Sequence, residues 1–314
     1  MLPTYKTSSR RFGVEIEYNA YDGESRSRGE NDLPVGIYSV ANIIRKFLNK
    51  SVDVTKWQYT HNNIRWAVKP DSSCGIEVCS PPLRGMSGIN QIREVIEALT
   101  QKSDTKADYR CSFHIHVEIA DLTENQIVLL MRNWIRFELF FFLLCNPFRW
   151  LNQYCIPVGF FNGFDSKQNY FFSNLLHKFS EYKYFSVNLY HYGKGKKKTI
   201  EFRVMGNEAC MNPDDAENWC KLMLCFVDTC SNYAGMSQTN LEYGDLDEAL
   251  EFLQLSHYFE SNEMFFWMIE KLSNLIDKTD FEAYSRTKYF WQSFIETSQE
   301  EIKDLVEKLE TDCL

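Results

Sequence analysis

Four short segments of this chain alternate apolar and charged residues, and that pattern restricts its fold more than any other feature. Phe12–Tyr18 sets Val14, Ile16 and Tyr18 on one face and Glu15 and Glu17 on the other. Gly75–Cys79 carries Glu77 in an otherwise apolar run, and Phe113–Val117 sets His114 and His116 on one face. Thr199–Val204 places Glu201 and Arg203 opposite Ile200, Phe202 and Val204. Side chains at i and i+2 of a strand share a face. Each segment therefore predicts a strand with one face for a core and one bearing ionisable groups.

The stretches between these strands read as helices and loops. Amphipathic helices are predicted over 35–49 and 87–101. A capping-box pattern, Thr123 followed by Gln126, starts a long helix running to about Cys145, and Pro147 ends it. Asn212-Pro213-Asp214-Asp215 is a second strong start, with a capping Asn, Pro in the first turn and acids at the positive end of the dipole; that helix is expected to reach about Tyr233. Further strands are expected at 63–69 and 184–190. Asp22–Asp32 reads as a polar loop, and 191–198 reads as a basic hairpin tip between two strands. Beyond residue 240 only helical signals remain. Strands with inserted and then appended helices predict an α+β fold rather than βαβ winding, with one unit over 1–240 and a helical C-terminal extension over 241–314 packed on it.

Composition narrows the function classes. The chain has 314 residues, 44% of them apolar and 25% charged, which predicts a globular protein with a sizeable core. Its net charge of −9 makes nucleic acid or an anionic membrane a poor partner. The longest apolar run, Phe137–Cys145, contains Glu138 and is too short to span a bilayer. No apolar leader is read at the start, so a cytosolic protein is expected. Ten cysteines without a CxxC pair then read as buried thiols rather than disulfides or zinc ligands.

Taken singly, each charged strand has an ordinary reading: a solvated strand face for Glu15 and Glu17, an outward Glu77 on an edge strand, packed histidines, a weak same-strand pair of Glu201 with Arg203. Taken together, carboxylates, imidazoles and a guanidinium on strand faces suit hard cations beside a phosphate, because carboxylate oxygens hold Mg²⁺ and Arg forks onto phosphoryl oxygens. No HExxH, GxxxxGK[ST] or GxGxxG occurs, which removes the usual zinc, P-loop and Rossmann readings.

Five blocks occur in order: Phe12-Gly-Val-Glu-Ile-Glu17, Trp66…Asp71-Ser72, Ile76-Glu-Val-Cys-Ser-Pro-Pro-Leu83, Cys111…His114-Ile-His116 and Thr199-Ile-Glu-Phe-Arg203. Over roughly residues 10–235 the chain resembles the amidoligase family of the glutamine synthetase-like carboxylate–amine ligase superfamily. Ser112 stands where that family usually has Gly. The resemblance implies a curved antiparallel sheet forming a half-barrel, and ATP-dependent formation of an amide or isopeptide bond through an acyl phosphate. It implies two or three Mg²⁺ ions, or Mn²⁺, with metal ligands drawn from Glu15, Glu17, Glu77, His114 or His116, and Glu201. Arg203 would contact the transferring phosphoryl group, with His116 and Lys198 also on the nucleotide. Asp71 and Asn188 would position substrate. The base is left between Glu77 and Glu118. The implied partners are ATP, a carboxylate and an amine, which a peptide or protein could supply; the oligomeric state is open. The competing readings are a metal-dependent amide hydrolase on the same face and a binding module with a relic site.

Two stretches keep two readings. The run Lys194–Lys198 is either a flap over a nucleotide or a solvated turn, and the aromatic stretch Phe148–Phe172 is either a pocket wall or a core plug.

Overall fold

The computed structural model describes residues 8–24, 32–55, 64–150, 152–158, 179–195, 197–232 and 262–277, with a few single positions between 248 and 303. Within them an eight-stranded sheet is covered on one side by helices. The strands are β1 (Arg11–Asn19), β2 (Val52–Val54), β3 (Trp66–Pro70), β4 (Gly75–Cys79), β5 (Leu83–Arg84), β6 (Phe113–Glu118), β7 (Val187–Asn188) and β8 (Thr199–Phe202). Their order is β2-β3-β4-β1-β6-β8-β7, with β5 pairing the start of β1. All pairs are antiparallel except β2 with β3. The fold is thus α+β with an open, uncurled and mostly antiparallel sheet, its edge strands among the described residues being β2 and β7, where the resemblance implied a curved half-barrel.

The alternation read from sequence sets the layers. Val14, Ile16, Tyr18, Val68, Ile76, Val78, Phe113, Ile115, Val117, Ile200 and Phe202 are buried on one face. Helices α1 (Ile37–Leu48), α2 (Gly85–Lys102), α3 (Glu124–Leu143) and α6 (Pro213–Asn232) supply the residues that cover it. Trp134 of α3 stacks on Phe141 at 4.7 Å between ring centroids and meets Phe202 of β8 at 4.9 Å, while Phe226 of α6 packs edge-on at 5.7 Å. Such aromatic packing makes a stiff floor beneath the strands that carry the ionisable residues.

The helix starts form as their caps predict. Thr123 Oγ1 accepts from Gln126 N at 3.3 Å, and Gln126 Oε1 accepts from Thr123 N at 2.9 Å. Asn212 Oδ1 accepts from Asp214 N at 2.9 Å at the start of α6. A further helix, α7 (Asn262–Asp277), packs on α3 and α6. Trp267 Nε1 donates to Asp215 Oδ1 at 2.7 Å, and Lys271 pairs with the same oxygen at 2.7 Å. Most of the expected polar loop at 22–32, much of the aromatic stretch and most of the expected C-terminal helices lie outside the described residues. Among the described residues no helix is long and apolar enough to cross a membrane.

Several expectations are corrected. The strand expected over 184–190 shrinks to Val187–Asn188; it pairs antiparallel with β8 around the basic tip, and the connection opens with a helical turn, α4 (Tyr190–Gly193). Asn188 Oδ1 accepts from Tyr190 N at 3.0 Å and Leu189 O from Gly193 N at 2.8 Å, which bends the backbone out of the sheet. The strand expected to run to Val204 stops at Phe202, because the carbonyls of Arg203 and Val204 accept from the buried Arg149 guanidinium at 2.6 and 3.2 Å. A helical turn not expected from sequence, α5 (Glu208–Met211), precedes α6. The expectation of buried thiols holds for Cys74, Cys79, Cys111, Cys145, Cys155, Cys210, Cys220, Cys225 and Cys230, all free.

Candidate functional site

The face of the sheet opposite the apolar core carries the ionisable residues, and strand register brings them together. Glu77 is cross-strand partner to both Lys69 and Glu17. Glu15 is partner to both Cys79 and His114. His116 is partner to Gly13 and Glu201, and Asn188 to Glu201. Directly opposite residues have Cβ atoms about 4.5–5.5 Å apart, so three adjoining rows converge on one patch. Glu17, Glu77, His114, His116, Asn188 and Glu201 are all buried, and Glu15 is partly so.

The polar contacts follow these rows. His116 Nε2 lies 3.3 Å from Glu15 Oε1, and His114 Nδ1 lies 3.7 Å from both Glu15 Oε2 and Glu201 Oε1. Arg203 binds Glu201 Oε1, donates through Nε to the Tyr154 carbonyl at 3.1 Å, and reaches His114 Nδ1 at 3.4 Å. Asn188 Nδ2 donates to Glu201 Oε2 at 3.2 Å. Lys69 Nζ lies 2.5 Å from Glu77 Oε1, which also accepts from the Cys79 thiol at 3.0 Å.

Two side chains settle the state of His114. Ser112 Oγ donates to Glu17 Oε2 at 2.6 Å and lies 2.7 Å from His114 Nε2. With its own proton on Glu17, Ser112 accepts from His114 Nε2–H, which leaves Nδ1 as the lone-pair nitrogen facing Arg203. Burial and the nearby guanidinium push His114 down to about 4, so it stays neutral around pH 7. His116 differs: it is 5% exposed and neither ring nitrogen has a hydrogen-bond partner.

Charge is unevenly balanced here. Burial, then the Asp71 carboxylate, push Glu17 up to about 8. Burial and Glu15 push Glu77 up to about 7 against the pull of Lys69. Burial also penalises Glu201 and Glu15, but Arg203 and His116 hold Glu201 down at about 2, and His116, Lys69 and His114 hold Glu15 well below the usual carboxylate range. Lys69 and Arg203, each facing buried carboxylates, are held protonated.

Among the described residues, three sets have ligand atoms within 4.8 Å of one another: Glu15, His116 and Glu201; Glu15, Glu77 and Cys79; Glu17, Asp71 and Cys74. Carboxylates with an imidazole fit Mg²⁺ or Mn²⁺, and the unpartnered nitrogens of His116 fit a missing electrophile. Asp71 Oδ1 is engaged by its own turn, accepting from Ser73 N at 2.7 Å and Cys74 N at 3.1 Å. That turn closes at Gly75, whose φ of +124° and whose approach to Ala20 N, 2.6 Å from where a Cβ would lie, admit no side chain. A cavity of about 370 Å³ opens beside Glu15 and His116; its lining includes Gly13, Cys79, Lys197 and Lys198. Glu118, at its rim, pairs with Arg11 at 2.7 Å.

The structure therefore gathers Glu15, Glu17, Glu77, His114, His116, Asn188, Glu201 and Arg203 into one patch, with Lys198 lining the adjoining cavity and Asp71 beside Glu17. Sequence reading missed Lys69, Ser112 and His191. Lys69 shares its strand face with Ala67, a weak signal; Ser112 lies two residues before His114 and so shares its face. The His191 ring lies 5.7 Å from that of His116.

Residues 8–159 match the model of the family described as "Putative amidoligase enzyme", just under half of the chain. Over that span the chain is similar to the family that its motif blocks resemble. No curated protein matches by sequence. A solved structure of similar outline is that of a bifunctional glutathione synthetase from Pasteurella multocida: 13% identical, TM-score 0.43, the match covering 96% of this chain and 52% of that one. The chain thus spans about half the length of that protein.

Proposed function

We propose that the protein is an ATP-dependent carboxylate–amine ligase, related to glutamine synthetase-like enzymes, that forms an amide or isopeptide bond through an acyl phosphate. One observation carries this reading. The buried carboxylates Glu17, Glu77 and Glu201 and the partly buried Glu15 outnumber the fixed cations Lys69 and Arg203, beside a His116 whose ring nitrogens make no hydrogen bond. Such a surplus is expensive to bury without further cations, and a ligase joining a carboxylate to a triphosphate needs them.

Glu15, His116 and Glu201 would hold one cation, and Glu17 and Glu77 another. Magnesium at these positions would offset repulsion between the carboxylate and the triphosphate and stabilise charge on the leaving oxygen. Arg203 is held in place by Glu201 and the Tyr154 carbonyl, and its guanidinium would meet the phosphoryl oxygens as their charge develops. Lys198 and His116, which line the same cavity, would bind the nucleotide. Asn188 keeps Glu201 oriented, and Asp71 would act on substrate through Glu17. Glu77, pushed up to about 7, suits a base that takes a proton from the incoming ammonium; Glu118 is engaged by Arg11. The catalytic unit would span residues 1–240, with 241–314 a helical extension anchored through Trp267 and Lys271 on Asp215.

The test is mass spectrometry of a cell extract incubated with the protein, ATP and Mg²⁺. The expected result is ADP together with a new species lighter by one water than the sum of two extract components. Amide cleavage without nucleotide would replace the ligase with a metal-dependent hydrolase.

A further inference from the structure

We propose that Cys79 makes the Glu15–Glu77 end of this patch a binding position for a thiophilic divalent cation of the zinc–cadmium class. The ligand atoms of Glu15, Glu77 and Cys79 lie within 4.8 Å of one another, and the thiol already points at Glu77 Oε1, at 3.0 Å. Small rotamer changes bring such atoms to the roughly 2.0–2.3 Å that zinc requires of carboxylate and thiolate donors.

A second observation points to a ligand. His116 is 5% exposed and lacks a hydrogen bond at either ring nitrogen, and it lines the same cavity as Glu15 and Cys79. Two carboxylates and a thiol form a borderline-soft donor set that selects zinc or cadmium over magnesium, and the His116 imidazole lines the cavity that Glu15 and Cys79 also line.

The charges close as well. On binding, the Cys79 S–H bond breaks, its proton leaves to solvent through the cavity, and a metal–sulfur bond forms with no change of oxidation state. Two carboxylates and one thiolate then face a divalent cation and the Lys69 ammonium, which lies 2.5 Å from Glu77. Because Glu15 belongs also to the Glu15–His116–Glu201 set, an ion held by Cys79 draws Glu15 away from it. The site is therefore inhibitory toward a second, harder cation.

This inference does not rest on the ligase reading, since it is measured without nucleotide. The full chain is titrated with cadmium chloride while the ultraviolet thiolate-to-cadmium charge-transfer band is followed. A saturable band at one equivalent is expected to persist in large excess Mg²⁺, to be lost in C79S, to need at least tenfold more cadmium in E77Q, and to be retained in C74S, which alters the other thiol–carboxylate set. A C79S protein that keeps the band at the parent midpoint overturns the proposal, as does displacement by Mg²⁺. Should C79S fail to fold, the parent protein is alkylated with N-ethylmaleimide and its Cys79 peptide followed by mass spectrometry. Cadmium is expected to slow that labelling at least tenfold, and an unchanged rate also overturns the assignment. Failure to consume ATP with cadmium binding intact counts against the ligase alone.

Discussion

Lys69 and Glu77 are cross-strand partners whose charged atoms lie 2.5 Å apart at one end of the carboxylate face. Both side chains are close to fully buried. An ammonium so placed is an internal counter-charge, built from the neighbouring strand, in a patch with too many carboxylates.

Removing one member of such a pair leaves a charge stranded out of water. K69M is expected to destabilise the metal-free protein by about 3–5 kcal/mol. The double variant K69M/E77Q should recover much of that loss, because no stranded charge remains. Urea denaturation checks both. A K69M cost below about 1 kcal/mol would place the pair in the class of solvent-screened bridges.

The raised carboxyls give the metal-free protein a distinctive pH profile. Glu17 at about 8 and Glu77 at about 7 hold protons in the folded state that the unfolded chain, near 4.5, has released. Their contribution is complete below the unfolded value and is lost as pH rises through the folded values. His114 and His191, lowered to about 4, act in the opposite sense, but only between that value and 6.5. From pH 6.5 to 8 only the carboxyls count, and stability should fall by about 1–2 kcal/mol. Thermal melts in chelator test this; a flat profile contradicts it, and saturating Mg²⁺ should reduce the slope.

The two histidines should separate experimentally. H116A removes the imidazole without a hydrogen bond and is expected to weaken Mn²⁺ binding at least tenfold with little effect on melting. H114A breaks the chain from Arg203 through Ser112 to Glu17 and should lower the melting temperature, leaving Mn²⁺ stoichiometry unchanged. Electron paramagnetic resonance of free Mn²⁺ reads the first effect and calorimetry the second. Equal loss of Mn²⁺ in both variants would reverse the ligand assignment.

Arg203 and Glu201 act on one another as well as on the proposed nucleotide. R203A and E201Q are each expected to lower ATP turnover by about 10²-fold or more, the scale of losing a preorganised charge. Folding is checked by circular dichroism. An E201Q protein that consumes ATP at the parent rate would remove Glu201 from the cation site.

The strands that carry the chemistry were legible because period-two alternation survives in Phe12–Tyr18, Phe113–Val117 and Thr199–Phe202, each with a fully buried face. Caps made Thr123 and Asn212 equally plain. The segments Val52–Val54 and Leu83–Arg84 were not legible, since two or three residues display no period. The end of β7 was set by a turn from its own Asn188 side chain, and the end of β8 from far away, by the Arg149 guanidinium. Ser112 reads in sequence as a departure from a family pattern; in the fold it is the hydroxyl that joins Glu17 to His114.

Local spacing and side-chain chemistry settled which residues share a strand face and that acids, imidazoles and a guanidinium occur on such faces. Which of them meet was settled by cross-strand register, which depends on how β4, β1, β6 and β8 pair across long loops. That pairing put an unsuspected lysine against Glu77, engaged His114 and left His116, its Nε2 3.3 Å from Glu15, without a hydrogen bond at either ring nitrogen. Pattern along a chain carries no information about a neighbour contributed by another strand, so the charge balance of this patch emerges only once the sheet is assembled.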